Sequence, residues 1–341
     1  MARIGLVGYG TGGRYFHAPF IEAAIGATLA GVVVRSETRR AEVTQDLPGT
    51  PVFDDLDALI DSGVDAVVIS TPPGSKEDLV RHAIERGVPV ITDKPFALDP
   101  ETARGLMALA EEAGVPLGVF HNRRWDADIL TVRDLIATGK LGEVRHFESR
   151  LDAWEPGPAR GGQSGGVLLD TGTHFIDQAV FLFGPVDSVF AEIDWYDGEA
   201  GHVDTGYFVS LTHTSGVVSH IKTNKLLRGA GRELRVIGDE GSYQAETVDV
   251  QARALFDGLR PIASRQTWGY DAEANWGTLV TASGSEIVPS SQGDYAGYYE
   301  QLVRALEQGE GLPVTGPDAF ETVRIVEAAF RSDAEKRVVA L

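Results

Sequence analysis

Two domains of different fold class are predicted by this sequence: an α/β domain built on a parallel sheet, then an α+β domain with a large, mostly antiparallel open sheet. Three observations lead there. Short apolar runs alternate with helical patterns through the first 120 or so residues. A glycine-rich turn joins the first apolar run to the first helix. Beyond residue 121 the alternations become longer and follow one another with turn residues between them, as in antiparallel sheets. The 341 residues, 43% of them apolar, suffice for two cores. The boundaries follow as 1–121 for a dinucleotide-binding domain and 122–341 for a substrate-binding and oligomerisation domain, with the last helix free to pack back on the first.

The elements run in order. Arg3–Gly8 is a short apolar strand entering Gly8-Tyr-Gly10-Thr-Gly-Gly13. The spacing of Gly8, Gly10 and Gly13 is G-x-G-x-x-G, which supplies a tight turn, close approach of the backbone to a pyrophosphate and close helix–strand packing. With Thr11 and Gly12 these residues form the candidate phosphate turn of a Rossmann-type domain. A helical pattern over Phe20–Ala27 follows Pro19, which suits a first-turn position, and Thr28–Arg35 is the second strand. Val52–Phe53, Asp65–Ser70, Val88–Thr92 and Val115–Phe120 are further strands. Ser75–Arg86 and Glu101–Ala113 are helices. Glu143–Leu151 alternates as a strand, 156–166 is rich in glycine and proline and reads as a flexible, lid-like loop, and Val167–Phe183 is a helix. Strands then follow at Ser188–Tyr196, Asp204–Thr212, Val217–Asn224, Arg232–Gly238 and Ser242–Ala245. Tyr298–Gln308 and Pro317–Arg331 are the last helices.

Composition narrows the function. A net charge of −20 disfavours nucleic acid and anionic membranes as partners. The absence of cysteine excludes thiol nucleophiles, disulfides and cysteine-ligated metals. No stretch has the apolar core of a signal peptide or the ~20 apolar residues of a membrane span, so a cytoplasmic protein is expected. The histidines show no metal-ligand spacing. A zinc hydrolase built on Asp170 and His174 lacks a third ligand, and no metal is expected.

The candidate chemistry lies at strand ends and on one helix. A carboxylate at the end of the second strand would suit the ribose hydroxyl of NAD. Here the strand ends in Arg35-Ser36, with Arg39 and Arg40 close behind, which suits a 2′-phosphate, with Arg35, Ser36 and Arg40 as its candidate contacts, and favours NADP, with NAD as the alternative. Thr71 and Pro72 fall at the carboxyl edge of the sheet, where ligands bind. Lys94 ends another strand, restrained to extended geometry by Pro95, where its ammonium can stabilise a developing alkoxide. Asp170 and His174 are four apart on a helix, a carboxylate–imidazole pair suited to general base work on an alcohol. Asn122 follows a strand of the same sheet and suits a polyol hydroxyl.

Taken together, Gly8-Tyr-Gly-Thr-Gly-Gly13, Thr71-Pro-Pro73, Asp93-Lys-Pro95 and Gly165-Gly-Val-Leu-Leu-Asp-Thr-Gly-Thr-His174 resemble the glucose–fructose oxidoreductase / inositol dehydrogenase / rhizopine catabolism (Gfo/Idh/MocA) family over nearly the whole chain. The resemblance implies a nicotinamide-dependent dehydrogenase. In it His174 takes the proton of the reacting hydroxyl, Lys94 holds that oxygen and touches the nicotinamide, and Asp170 orients or shares protons. It also implies a cis Lys94–Pro95 bond and dimerisation through the open sheet, hence a homodimer or a dimer of dimers. Asp93 stands where the family usually has glutamate. Gly13-Arg-Tyr-Phe-His-Ala-Pro19, Val34-Arg-Ser36, His121-Asn-Arg-Arg-Trp-Asp126 and Phe175-Ile-Asp-Gln178 are similar to the NADP-dependent scyllo-inositol dehydrogenase branch. The 156–163 segment departs from that branch on the substrate side. Trp154, Arg160, Gln163, Tyr295 and Tyr299 are the candidate sugar or polyol contacts. The rival readings are a non-catalytic cofactor or sugar sensor of the same fold and a sugar–sugar oxidoreductase with tightly held cofactor. No glutamate pair is placed to support a glycosidase.

Overall fold

β-Branched and aliphatic runs too short for helices form a six-stranded parallel sheet in the computed structural model, which describes residues 1–156, 166–198 and 201–341. The strands are β1 Ala2–Val7, β2 Ala27–Val33, β3 Val52–Phe53, β4 Ala66–Ile69, β5 Val90–Asp93 and β6 Leu117–Phe120, in the order β3-β2-β1-β4-β5-β6. Ile4, Leu6, Val32, Val67, Val68, Ile69 and Val90 are completely buried, as expected of a sheet covered on both faces. The order reverses at β1, flanked by β2 and β4, and a crevice opens at the carboxyl ends of strands at such a point.

The crossover helices are α1 Ala18–Ala23, α2 Glu37–Asp46, α3 Leu56–Asp61, α4 Pro73–Glu85 and α5 Pro100–Ala113. Their starts are encoded locally. Pro19 lies in the first turn of α1. Ser36, Asp55 and Asp99 accept from the backbone N–H of Arg39, Ala58 and Thr102, satisfying donors that a helix start leaves open. Between the glycine turn and α1 the chain makes a π-helical turn, Gly12–His17.

Residues 1–122, 251–268 and 294–320 form one unit. Its later segments contain most of α8 (Val250–Phe256), then α9 (Pro261–Ser264) and α10 (Ala296–Gln308). α10 presents Tyr295, Tyr298 and Tyr299, all fully buried, at its start. Phe20 lies 5.2 Å from Tyr295 and Phe120 4.9 Å from Tyr298, both edge-on, a favourable aromatic geometry.

Residues 123–250, 269–293 and 321–341 form the other unit. Its nine-stranded sheet uses β7 Val144–Trp154, β8 Val186–Gly198, β9 Gly201–His213, β10 Val218–Asn224, β11 Leu226–Gly238, β12 Gly241–Glu246, β13 Gly277–Thr281, β14 Gly284–Val288 and β15 Val339–Ala340. The order is β14-β13-β12-β11-β7-β10-β9-β8-β15. Every pairing is antiparallel except β7 with β10. α6 Ala127–Ala137, α7 Thr173–Phe183 and the later part of α11 (Gly316–Glu335) supply Ile129, Phe175, Ile176 and Ile325 to a core with Phe147, Val209 and Ile221 of the sheet. The fold is the α/β plus α+β arrangement expected. The hairpin β13–β14 and the helices α8 and α9 are additional elements.

A buried charge cluster ties α7 to the segment that precedes α6. The Arg124 guanidinium donates to both oxygens of Asp177, at 2.9 and 2.7 Å, a bidentate pair. Gln178 Nε2 donates to the Arg123 carbonyl at 2.9 Å. Arg232 reaches Asp126 and Asp128 at 3.0 and 2.9 Å. Burial pushes Asp126 up to about 6, opposed by Arg123 and Arg232 and reinforced by Asp249 and Asp128. Its folded value lies above its unfolded one of ~3.9, so the stability its protonated form contributes is full below about pH 4 and lost as pH rises through about 6. Removing Arg232 leaves two buried carboxylates without their shared cation. Arg232→Met is therefore expected to cost about 3–5 kcal/mol at pH 8 and less at pH 5, where Asp126 holds a proton; urea denaturation at the two pH values measures the difference.

Candidate active site

The glycine turn is shaped by backbone contact. Gly8 has φ of +99°, and a Cβ there would strike the Ser70 carbonyl; a Cβ on Gly13 would strike the Gly8 carbonyl. Both positions therefore need glycine. One on Gly12 would fall 2.5 Å from Ser70 Oγ and 2.7 Å from Asp93 Oδ2. Gly10 has open space around it and Thr11 is exposed. Beside this turn runs a cleft of roughly 570 Å³, lined by Gly8, Gly10, Val34, Arg35, Ser36, Arg39, Thr71, Pro72 and His82 among others. The buried Thr71 Oγ1 has no hydrogen-bond partner among the described residues. A glycine cradle, an unpartnered hydroxyl and two arginines in one cleft fit the phosphates and ribose of a dinucleotide.

The arginines divide. Arg35 and Arg39 line the cleft. Arg40 instead pairs with Asp54 and, at 3.5 Å, with Glu37. Ser36 caps α2, accepting from Arg39 N–H at 3.3 Å, and Arg39 is held by Glu42 at 2.6 Å. The position of Arg39 follows from the cap, which starts the helix at Glu37 and ties the Arg39 N–H to the Ser36 side chain.

Asp93 ends β5 and Lys94 follows it, and the Lys94–Pro95 peptide is cis. The Asp93 carboxylate accepts from Ser70 Oγ at 3.0 Å and from the Lys94 N–H at 2.9 Å. His17, fully buried, places Nε2 3.3 Å from Asp93 Oδ2 and Nδ1 2.6 Å from the Tyr299 hydroxyl. Desolvation would raise Asp93, but the adjacent His17 imidazole, with Lys94 and Lys76, holds it well below the usual carboxylate range. Burial and the neighbouring Tyr298 and Asp93 raise the Tyr299 phenol well above its ordinary value, so it remains a neutral hydroxyl. Tyr295, equally buried, donates its backbone N–H to Gln251 Oε1 at 2.9 Å. Asn122 closes the same unit and is 6% exposed.

Asp170 and His174 belong to the other unit. Asp170 lies in a π-helical turn, Leu168–Gly172, that leads directly into α7, where His174 is the second residue. The start of that turn is held from β9: Asp204 Oδ2 accepts from the Leu168 N–H at 2.6 Å. Gly166, at φ +103°, passes so close to Asp204 that a side chain there would collide with its carboxylate. Burial raises Asp204, with the backbone N–H bonds opposing. One turn beyond His174, Asp177 and Gln178 are the residues clamped by Arg124 and the Arg123 carbonyl, so both ends of the segment bearing Asp170 and His174 are fixed. Trp154, at the end of β7, is 46% exposed with the Arg228 guanidinium 4.2 Å above its ring. Arg160 and Gln163 lie outside the described residues. Ser70, Lys76 and Asp204 carry no motif signal of their own, and His17 falls within the Gly13–Pro19 stretch without a role read from it. Arg39 was legible only as one of several arginines.

Among the described residues there is no cluster of three or more potential metal ligands and no helix long and apolar enough to cross a membrane.

A glycine-cradled cleft at the switch point of a parallel sheet, joined in sequence to a large antiparallel sheet, defines a nicotinamide-dinucleotide-binding oxidoreductase. Residues 2–121 match the oxidoreductase family with an NAD-binding Rossmann fold, and residues 129–244 match the GFO/IDH/MocA C-terminal domain; the chain belongs to the Gfo/Idh/MocA family. It is 30% identical to scyllo-inositol 2-dehydrogenase (NADP(+)) IolW of Bacillus subtilis, with 99% of this chain and 96% of that protein covered. It is 34% identical to the uncharacterized oxidoreductase YdgJ of Escherichia coli, covering 99% and 98%. The crystal structure of YvaA from Bacillus subtilis superposes with a TM-score of 0.91 at 29% identity, all of both chains being covered.

Asp93 yields a pH test. Its folded value lies below its unfolded one, so its contribution to stability is full above about pH 4 and declines as pH falls further. The melting temperature of the wild type is expected to exceed that of Asp93→Asn at pH 6, with the gap closing as pH drops below about 4.

Proposed function

We propose that this protein is an NADP-preferring dehydrogenase or reductase that interconverts a secondary alcohol and a ketone on a cyclic polyol or sugar. The carrying observation is the cleft at the end of β2, where Arg35 and Ser36 follow the strand in place of a carboxylate and line the cleft with Arg39, Asp54, Asp55 and Asp57. Guanidinium groups bind phosphate with paired, charge-assisted hydrogen bonds. The likeness to an NADP(+)-dependent scyllo-inositol dehydrogenase supports both the cofactor and the substrate class.

In this reading Gly8, Gly10, Thr11, Gly12 and Gly13 hold the pyrophosphate, Thr71 and Pro72 flank the nucleotide, and Arg35, Ser36 and Arg39 take the 2′-phosphate. When bound, the nicotinamide supplies or accepts the hydride. The Lys94 ammonium donates a hydrogen bond to the reacting oxygen and stabilises alkoxide character. His174 takes the hydroxyl proton at an imidazole nitrogen during oxidation and returns it during reduction. Asp170, one turn earlier, orients the imidazole and favours its charged form. Asn122 and Trp154 are read as substrate contacts.

Fluorescence titration should show tighter binding of NADPH than of NADH. Arg39→Ala should weaken NADPH by about 10- to 100-fold, the worth of one or two charge-assisted hydrogen bonds, and leave NADH nearly unchanged. Equal losses for both cofactors would refute the 2′-phosphate assignment. A screen of inositols, aldoses, anhydrosugars and their keto forms, read at the absorbance of reduced nicotinamide, identifies the substrate. On that substrate Lys94→Ala and His174→Ala should each lower kcat by roughly 10²–10⁴-fold while retaining NADPH binding; full turnover in both would reject the mechanism.

A further inference from the structure

We propose that Lys76 is a positioning residue for Lys94: its buried ammonium grips the main chain on both sides of Lys94 and so fixes the direction in which that side chain leaves the sheet. The inference rests on the reading of Lys94 as the group that holds the reacting oxygen.

Lys76 lies in the first turns of α4 and is only 5% exposed. Its Nζ donates to the Asp93 carbonyl at 2.8 Å and to the Pro95 carbonyl. These are the carbonyls of the residues immediately before and after Lys94. Lys76 thus closes a bridge across the one residue whose side chain the chemistry uses. The Asp93 side chain is anchored separately by His17 and Ser70, so the strand end is fixed through both its carboxylate and its main chain.

Burying a lysine is costly unless its charge and donors are used. Burial pushes the Lys76 ammonium down to about 8, with Asp93 opposing and Lys94 adding to the drop. Two ammonium groups are therefore close enough to repel, a cost that a methionine or leucine at position 76 would avoid. The packing does not require the ammonium either: Lys76 borders a cavity of roughly 80 Å³ shared with Pro73, Val80, Phe96, Leu98 and Leu106, whose charged neighbours are Glu77 and Asp99. What an apolar residue cannot supply is the pair of hydrogen bonds to the carbonyls flanking Lys94.

The test compares wild type, Lys76→Met and Lys76→Arg by kcat, KM, NADPH affinity, melting temperature and chemical labelling of Lys94. Labelling uses acetic anhydride, with the exposed Lys140 and Lys336 as internal references and peptide mass spectrometry as readout. In Lys76→Met, kcat should fall by at least about tenfold, the scale of loss from small misplacement of a reacting group. NADPH affinity and melting temperature should stay close to wild type, and Lys94 labelling should change relative to both references. Lys76→Arg, whose added bulk the adjoining cavity can take, should restore most of kcat and the wild-type labelling ratio. If the methionine variant does not fold, Lys76→Gln, which keeps donors but no charge, takes its place. Unchanged Lys94 labelling overturns the proposal whatever kcat does. Changed labelling with unchanged kcat instead overturns the role given to Lys94. If wild type turns over no polyol or sugar, the proposed function fails, and the labelling ratio alone decides the role of Lys76.

Discussion

The Asp93 carboxylate is the constraint on which the cofactor side of the molecule depends. It sits where β5 ends, beside β4 through Ser70, against the glycine turn at Gly12 and on the imidazole of His17. A partly buried carboxylate is stable only if its lone pairs are satisfied, and each neighbour here belongs to a different element. Ser70 comes from the end of β4, His17 from the end of the π-helical turn, and the Lys94 N–H from the strand's own continuation. His17 in turn requires the Tyr299 hydroxyl, which brings in α10 from nearly 300 residues away in sequence. One charge therefore connects the phosphate turn to the lysine loop. It also explains why Gly12 faces polar side chains where a Cβ would fit poorly.

The second unit solves the matching problem differently. Its candidate acid–base pair lies on a helix entrance, where backbone donors are left open. Asp204 takes one of these, the Leu168 N–H, and the Arg124–Asp177 pair holds the helix one turn past His174. Bidentate pairing fixes rotation as well as position, which matters because His174 lies in the first turn of α7 and Asp170 in the π-helical turn that leads directly into it. Arg232 supports the same region from β11, between Asp126 and Asp128 and 5.5 Å from the Phe175 ring.

The features legible in the sequence were those with a local cause. Apolar runs of four to seven residues announced the parallel strands, and the glycine spacing announced the turn, because each signal is confined to a few neighbours. Long alternations announced most of the nine-stranded sheet. The hairpin β13–β14 escaped because β14, Gly-Ser-Glu-Ile-Val, is mostly polar and exposed. The membership of 251–268 and 294–320 in the first unit escaped because it rests on tertiary packing of three tyrosines, for which α10 shows only an ordinary amphipathic pattern. Arg35 and Ser36 could be placed from the end of β2, whereas the sequence pointed to Arg40, and it is Arg39 that lines the cleft while Arg40 pairs with Asp54. Lys76 and Asp204 could not be found at all. A lysine early in a helix and an aspartate early in a strand are ordinary surface residues until long-range contacts bury them.

The residues missed and the residues found thus differ in kind. Groups proposed to carry the chemistry, such as Lys94, Asp170 and His174, sit at element ends, where turn chemistry and spacing expose them in the sequence. Groups that aim them, such as Lys76, His17 and Asp204, act through backbone carbonyls, carboxylates and helix starts that any polar residue in the right place could satisfy. Such residues carry no spacing rule, yet their burial is costly and needs a return in geometry. Lys76 shows this most clearly: its ammonium is buried and, among the described residues, bonded to the main chain flanking Lys94. The arrangement makes physical sense when the two carbonyls flanking Lys94 need a donor that also sets the direction of that side chain, which an apolar residue cannot supply.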